Sequence, residues 1–260
     1  MTDQIRFEDG ASYERYMGVW SQLAGAAFLD WLALPAGRRW LDVGCGNGAF
    51  TELIARRAAP AALHGIDPST AQLAFARTRP SLRDAALHEG DAMALTYPND
   101  AFEVAVMPLV IFFVPDPAKG VAEMARVVSS GGLVTAYAWD MHGGGFPYHT
   151  VQRAMRDLGS VLPAPPSPEA SRSDMLAALW REAGLTDVGL HEITVQRTFA
   201  SFDEFWAIVV GWDAVGRTIA TMAPEAIAQL TARLRECLPA GADGSITYAA
   251  RANAVRGTVP

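Results

Sequence analysis

The sequence predicts an α/β fold built on a parallel central sheet, and three observations carry that expectation. Short apolar runs of strand character alternate with helical patterns at a spacing of about thirty residues, the length of a strand–helix–strand unit. The first such run, residues 40–43, opens into three alternating glycines, Gly44, Gly46 and Gly48. Turn chemistry marks the junctions that follow: Asp67-Pro68-Ser69, Glu89-Gly90-Asp91, Asp116-Pro117 and Ser130-Gly131-Gly132. This alternation implies right-handed crossovers, with helices on both faces of the sheet.

Taken in order, residues 12–32 place Tyr13, Tyr16, Met17, Trp20, Leu23, Ala24, Ala27, Phe28 and Trp31 at helical spacing, which predicts one long amphipathic helix. Residues 40–43 form the first strand and 49–58 the helix after the glycines. Residues 62–66 are the second strand; Ser69 and Gln72 then make a capping box for a helix through Arg77. The third and fourth strands fall at 85–88 and 102–107, and Asp116-Pro117 caps a helix through Val127. The fifth strand is 133–139. Beyond Asp140 the rhythm changes. Gly143-Gly144-Gly145 reads as a loop and the proline-rich 163–168 as a linker. Helices follow at 171–183 and 224–238, and strands at 187–198 and 245–255. Ser201 and Glu204 cap a further helix whose residues 202, 205, 206, 209 and 212 form one apolar stripe.

The chain has 260 residues and a net charge of −7, half of it hydrophobic, so it can bury a large core and shows no general basic face for nucleic acid. Two distant cysteines, Cys45 and Cys237, cannot form a zinc cluster or a disulfide framework, and Cys237 is expected to be buried and inert. The first residues do not read as a signal peptide, and the apolar stretch 104–114 is far shorter than the ~20 residues of a membrane span. A cytoplasmic location without a membrane span is the expectation.

Glycines in this pattern let a ligand lie against bare backbone at the end of a strand. Gly44-Cys45-Gly46-Asn47-Gly48-Ala49 also satisfies the loose dinucleotide fingerprint, so the glycines leave the ligand open. Asp42 sits inside the strand, where it suits an ammonium better than a pyrophosphate. Asp67 ends the second strand and can accept both hydroxyls of a ribose, with Pro68 offering an apolar face to adenine. Asp91 can accept from an aromatic amine. The loop after the fourth strand, 107–117, is apolar where a dehydrogenase would supply polar catalytic groups.

The ordered set LDVGCGNGAF, GIDPS, EGDAMALTYPNDAFEVAV and FFVPDPAKGVAEMARVVSSGGLV resembles the class I S-adenosylmethionine-dependent methyltransferases, above all the small-molecule subgroup of ubiquinone and menaquinone type. The resemblance covers about residues 38–139. It implies a Rossmann-like seven-stranded, mostly parallel sheet, the last strand antiparallel, with a helical lid. Residues 1–37 would be an N-terminal helical cap, 38–140 the cofactor core, 141–240 the lid and acceptor side, and 241–260 the final strand. It also implies S-adenosylmethionine as cofactor, with S-adenosylhomocysteine as product. Gly44, Cys45 and Gly46 would approach the methionyl part, with Asp42 nearby through water. Asp67 would bind ribose, Pro68 and Ala92 adenine, Asp91 its amino group. Met107 would offer backbone to the cofactor's amino group, and Tyr16 or Trp20 would fold over the cofactor from the N-terminal helix. Phe112 stands where the family often has a histidine, which removes one candidate base. His142 and His149, with Asp140 and Tyr148, are the remaining general-base candidates.

The acceptor is expected to be a small, partly apolar or aromatic molecule walled by Phe112, Trp139 and Trp206, and no metal is expected. Two other readings stay open: a nicotinamide-dependent oxidoreductase, and a non-catalytic module that binds S-adenosylmethionine. The acceptor atom and the oligomeric state are not determined by the sequence.

Overall fold

The structure is a computed structural model, and it describes residues 14–260, with the side chains of Arg15, Asp213 and Ala214 left aside. Seven strands form one sheet in the order β3-β2-β1-β4-β5-β7-β6. The strands are β1 (Arg39–Val43), β2 (Ala62–Asp67), β3 (Ala86–Glu89), β4 (Phe102–Pro108), β5 (Val128–Trp139), β6 (Thr186–Phe199) and β7 (Ile246–Thr258). The first five pair in parallel, and β7 runs antiparallel to both β5 and β6. The expected mostly parallel seven-stranded sheet with its last strand antiparallel is therefore found. Because β1 lies between β2 and β4, the chain reverses its direction of travel across the sheet at the carboxyl end of β1. That crevice is where open α/β sheets bind ligands.

The helices in chain order are α1 (Val19–Leu32), α2 (Ala49–Arg57), α3 (Thr70–Ala76), α4 (Pro117–Val127), α5 (His149–Asp157), α6 (Ser173–Glu182), α7 (Phe202–Val210), α8 (Asp213–Ala220) and α9 (Pro224–Cys237). The caps form as their residues dictate. The Ser69 hydroxyl accepts from the Gln72 amide, Asp116 from Lys119, and Ser201 from Glu204. Each satisfies one of the amides that a helix start leaves without a partner.

Four expectations are corrected. Ser12 and Tyr13 lie outside the described residues, and the helix expected to run through residues 12–32 opens as a π-turn, Glu14–Gly18, before α1. The π-turn brings Tyr16, Met17 and Trp20 all into the interior. Residues 149–157, passed over between a glycine loop and a proline linker, form α5, with Val151, Ala154 and Met155 inward. The helix after Ser201 stops at Val210, so Trp212 is not on the stripe of Phe202 and Phe205 but caps the start of α8. Cys237 is exposed at the end of α9, not buried.

Candidate active site

The glycine turn is shaped by two demands. Gly44 and Cys45 both donate their amides to the Ile66 carbonyl, at 2.8 and 2.9 Å, which lashes the turn to the end of β2. Gly44 holds φ +78°, and a Cβ there would meet Val110 at 2.6 Å, so the turn is clamped from the loop after β4. At Gly46, φ +51°, the nearest atom to an added Cβ is Asp67 Oδ2 at 3.9 Å, which leaves the backbone open to a ligand. Cys45 is a filler: Gly65 on β2 lacks a Cβ where one would sit 2.9 Å from the Cys45 sulfur.

Asp67 anchors the same turn. Its Oδ2 accepts from the Gly46 amide and its Oδ1 from the Ser69 amide, both at 2.9 Å. Burial raises its carboxyl pKa, and these two backbone bonds pull in the opposite direction. Asp42 is fully buried. Thr51 donates to its Oδ2 at 2.7 Å while Oδ1 has no partner, and burial pushes its pKa up to about 7. An ammonium group nearby would favour its charged form.

A second support for the turn comes from Arg79. Its guanidinium pairs with Glu14 at 2.8 Å and Glu52 at 2.7 Å, and its Nε donates to the Asn47 carbonyl at 2.7 Å. Asn47 in turn donates to Glu14 at 3.0 Å. One half-buried cation thus joins the π-turn, the glycine turn and α2. No local pattern in the sequence announces it, because its partners lie 27 to 65 residues away.

A cleft of about 1870 Å³ opens above these elements. Of the residues expected to hold the cofactor, Gly44, Cys45, Gly46, Asp67, Pro68, Asp91 and Ala92 line it. Asp42 and Met107 lie beneath the lining, both with no exposed surface. Tyr16 belongs instead to a smaller apolar branch of about 70 Å³, with Phe112, Trp139, Phe146, Gln152 and Trp212. Leu109, Phe113 and Leu162 line both spaces and mark where they meet. Leu109 sits at φ +59°, a strained conformation for leucine, and donates its amide to the Tyr137 carbonyl at 2.7 Å. Tyr16 is sandwiched between Tyr148, 4.0 Å away, and Trp212, 4.3 Å away, so π-turn, α5 and α8 close the branch together.

Several expected residues stand elsewhere. Trp206 lines neither space; it stacks on Phe202 at 6.4 Å, and Trp212 occupies the wall expected of it. Asp140 pairs with Arg251 and accepts from the Gly143 amide at 2.8 Å, because the chain turns back there onto β7. His142 pairs with Glu169 at 3.0 Å. His149 opens α5 against Gly144, and burial with Arg156 and Arg153 lowers its pKa. None of the three lines the cleft or its branch. Leu109, Gln152 and Arg79 are the site residues that sequence reasoning missed.

Comparison with known proteins bears on what this architecture is for. Residues 41–136 match the methyltransferase-domain family. The chain is 31% identical over 155 residues to a chloroplastic 2-methyl-6-phytyl-1,4-hydroquinone methyltransferase of Oryza sativa, covering 60% of this chain and 41% of that one. It is 31% identical over 176 residues to a demethylmenaquinone methyltransferase of Bacillus licheniformis, covering 62% of this chain and 76% of the relative. The chain belongs to the class I S-adenosylmethionine-dependent methyltransferases. Among solved structures, the phosphoethanolamine N-methyltransferase 2 of Haemonchus contortus in complex with S-adenosyl-L-methionine superposes with a TM-score of 0.59 at 17% identity. That match covers 96% of this methyltransferase and 56% of the other chain, and shows the shared fold. The chain spans half or less of the length of several curated relatives, 41 to 50%. Among the described residues no helix is long and apolar enough to cross a membrane, and no cluster of three metal-ligating side chains occurs.

Proposed function

We propose that this protein transfers the methyl group of S-adenosylmethionine to a small aromatic acceptor of the hydroquinone or phenol class. The observation that carries the reading is the apolar branch walled by Phe112, Trp139, Phe146 and Trp212, which opens off the glycine-turn cleft at Leu109 and Phe113. In the cleft, Asp67 would take the ribose hydroxyls, Pro68 an adenine face, Asp91 the adenine amino group and the Ala92 amide a ring nitrogen. The bare backbone at Gly46 would pass the methionyl chain, whose ammonium Asp42 would favour from below.

The transfer is an in-line displacement. The acceptor atom bonds to the methyl carbon, the carbon–sulfur bond breaks, and its electron pair returns to sulfur as a neutral thioether. Charge is dispersed along this path, so an apolar slot that excludes water and aligns the reactants supplies much of what is needed. Tyr16 is the only titratable side chain among the described residues lining the branch, and burial holds its phenol well above its ordinary pKa. It stays protonated at neutral pH and is no base. With no base among the branch-lining side chains, the acceptor's proton has to leave to solvent before transfer, which favours a hydroxyl acidified by its ring substituents below the ordinary phenol pKa of about 10, or a reaction run at raised pH.

Two measurements test this. S-adenosylhomocysteine should raise the melting temperature while NAD and NADP leave it unchanged. With methyl-labelled S-adenosylmethionine, label should pass to 1,4-naphthohydroquinone or a substituted phenol and not to phosphatidylethanolamine. A shift with a nicotinamide cofactor alone, or label only in the phospholipid, contradicts the reading.

A further inference from the structure

Beside Tyr16, the π-turn, α1, α5, β6 and β7 bury a group of hydrogen-bond donors that the transfer does not use. Arg197 on β6 lies opposite Tyr248 on β7. Trp20 packs against Tyr248 at 5.2 Å, and the Arg197 guanidinium lies 4.4 Å over Phe199, which itself stacks on Tyr248. Tyr148 completes the group. Its hydroxyl donates to the Tyr16 carbonyl at 2.8 Å, and its oxygen is the one acceptor that the Trp20 and Arg197 side chains share. Four buried atoms here have no hydrogen bond of good geometry: the hydroxyls of Tyr16 and Tyr248, and Trp20 Nε1 and Arg197 Nη1, which have only the shared Tyr148 oxygen to turn to. Each belongs to a group that donates.

The charge is unbalanced too. Among the described residues no carboxylate lies within ion-pair distance of Arg197, whereas Arg251 on the neighbouring strand has both Asp140 and Glu192. The phenols do not supply the missing negative charge. Burial raises all three, Tyr148 to about 12, so they remain neutral donors. A water molecule in their midst would accept two hydrogen bonds and neutralise nothing. Buried donors are nearly always satisfied in folded proteins, and four of them around the inward nitrogen of a half-buried guanidinium suit an anion better than a water.

We propose that Arg197, Tyr248, Tyr16 and Trp20 form a binding site for a compact monoanion: a halide, or a single ionised oxygen of a carboxylate or phenolate. The stacking of Tyr16 on Tyr148 at 4.0 Å and of Trp20 near Tyr248 excludes a group as large as a phosphate ester. The same chemistry has two sources. One is a free anion from solvent; the other is the ionised oxygen of the acceptor, since Tyr16 is shared with the acceptor branch. The second source rests on the methyl-transfer reading above, and the first does not.

The test is the melting temperature of the full chain titrated with sodium bromide, in the wild type, Arg197→Met and Tyr248→Phe at matched ionic strengths. General salt effects are common to all three proteins. The wild type should show a saturable rise that Arg197→Met lacks, and Tyr248→Phe should need at least about tenfold more bromide, the loss expected for one hydrogen bond to a charged partner. If the three proteins respond identically, the site does not exist. Should Arg197→Met fail to fold, the Tyr248→Phe midpoint alone decides, an unchanged midpoint overturning the proposal. A nitrophenol whose phenolate absorbs in the visible then identifies the source. Displacement of bound phenolate by bromide assigns the site to the acceptor, and simultaneous binding assigns it to a free anion. The S-adenosylhomocysteine shift, read in the same buffer, reports on the methyl-transfer reading separately.

Discussion

The two halves of the site are made by different means. On the cofactor side, the ends of β1, β2 and β3 present backbone and carboxylates: Gly46 without a side chain, Asp67 tied to two amides, Asp91 accepting from the Met93 amide at 2.8 Å. On the acceptor side, rings from the π-turn and the starts of α5 and α8 stack on one another, Tyr148 on Tyr16 on Trp212. The first half is specified by short segments that fold where they stand in the chain. The second is specified by packing between segments more than a hundred residues apart. The cofactor side is therefore fixed by conformation and hydrogen bonds, and the acceptor side by volume.

If that contrast holds, substitutions on the acceptor side should be judged by burial. Phe205 is 1% exposed among Phe199, Tyr148 and Tyr248, while its neighbour Trp206 lies at the rim. Phe205→Ala should cost ~3–5 kcal/mol in urea denaturation, and Trp206→Ala about 1 kcal/mol with an unchanged acceptor profile. Equal costs would mean that α7 packs the other way round.

The cofactor side should instead respond to charge. Asp42 has a folded-state pKa raised to about 7 from an ordinary 3.8. The folded state then holds a proton that the unfolded state has lost, so stability falls as pH rises between about 4 and 7, by up to ~4 kcal/mol over the window. Asp42→Asn should remove most of that fall, leaving the share of Asp67, whose pKa burial also raises. Denaturation curves at pH 4.5 and 7.5 decide it, and a slope unchanged in the variant would remove Asp42 from the account. Arg79→Ala, which removes the ion pairs to Glu14 and Glu52 and the bond to the Asn47 carbonyl, should cost about 1–2 kcal/mol, since Glu52 keeps Arg56 and Ser81 and Glu14 is half-buried. Hydrogen exchange should then show the amides of residues 44–48 opening first.

How much of this was legible follows the same division. The glycine turn, Asp67, Asp91 and the caps at Ser69, Asp116 and Ser201 were readable because each is a local device whose residues lie within a few positions of one another. Five strands were placed to within a residue or two for the same reason. β5 was read five residues short, since Ser130-Gly131-Gly132 looks like a turn and in fact lies within the strand, with Gly131 at φ +76°. α5 carried its signal in Val151, Ala154 and Met155, masked by the glycines before it and the prolines after it. Arg79, Gln152 and the strain at Leu109 left no local trace. Trp206 was placed in the pocket because a helical stripe was extended through Gly211, where the helix ends and the chain redirects Trp212 inward.

A smaller effect sharpens the ribose assignment. Asp67→Ala should weaken S-adenosylhomocysteine at least tenfold by calorimetry, each lost bond to a charged acceptor being worth ~1.5–3 kcal/mol. The variant should also loosen the turn, since Asp67 holds the Gly46 and Ser69 amides. Asp67→Asn, which keeps acceptor capacity for one of them, should recover fold stability more than affinity.

The most direct measurement is a crystal structure with S-adenosylhomocysteine bound. The account predicts the ribose hydroxyls on Asp67, the adenine packed on Pro68 with a ring nitrogen at the Ala92 amide, and the sulfur at the Leu109–Phe113 junction, facing the branch walled by Trp139 and Trp212. A cofactor bound with its sulfur directed away from that junction, or failing to occupy the glycine-turn cleft at all, would contradict it.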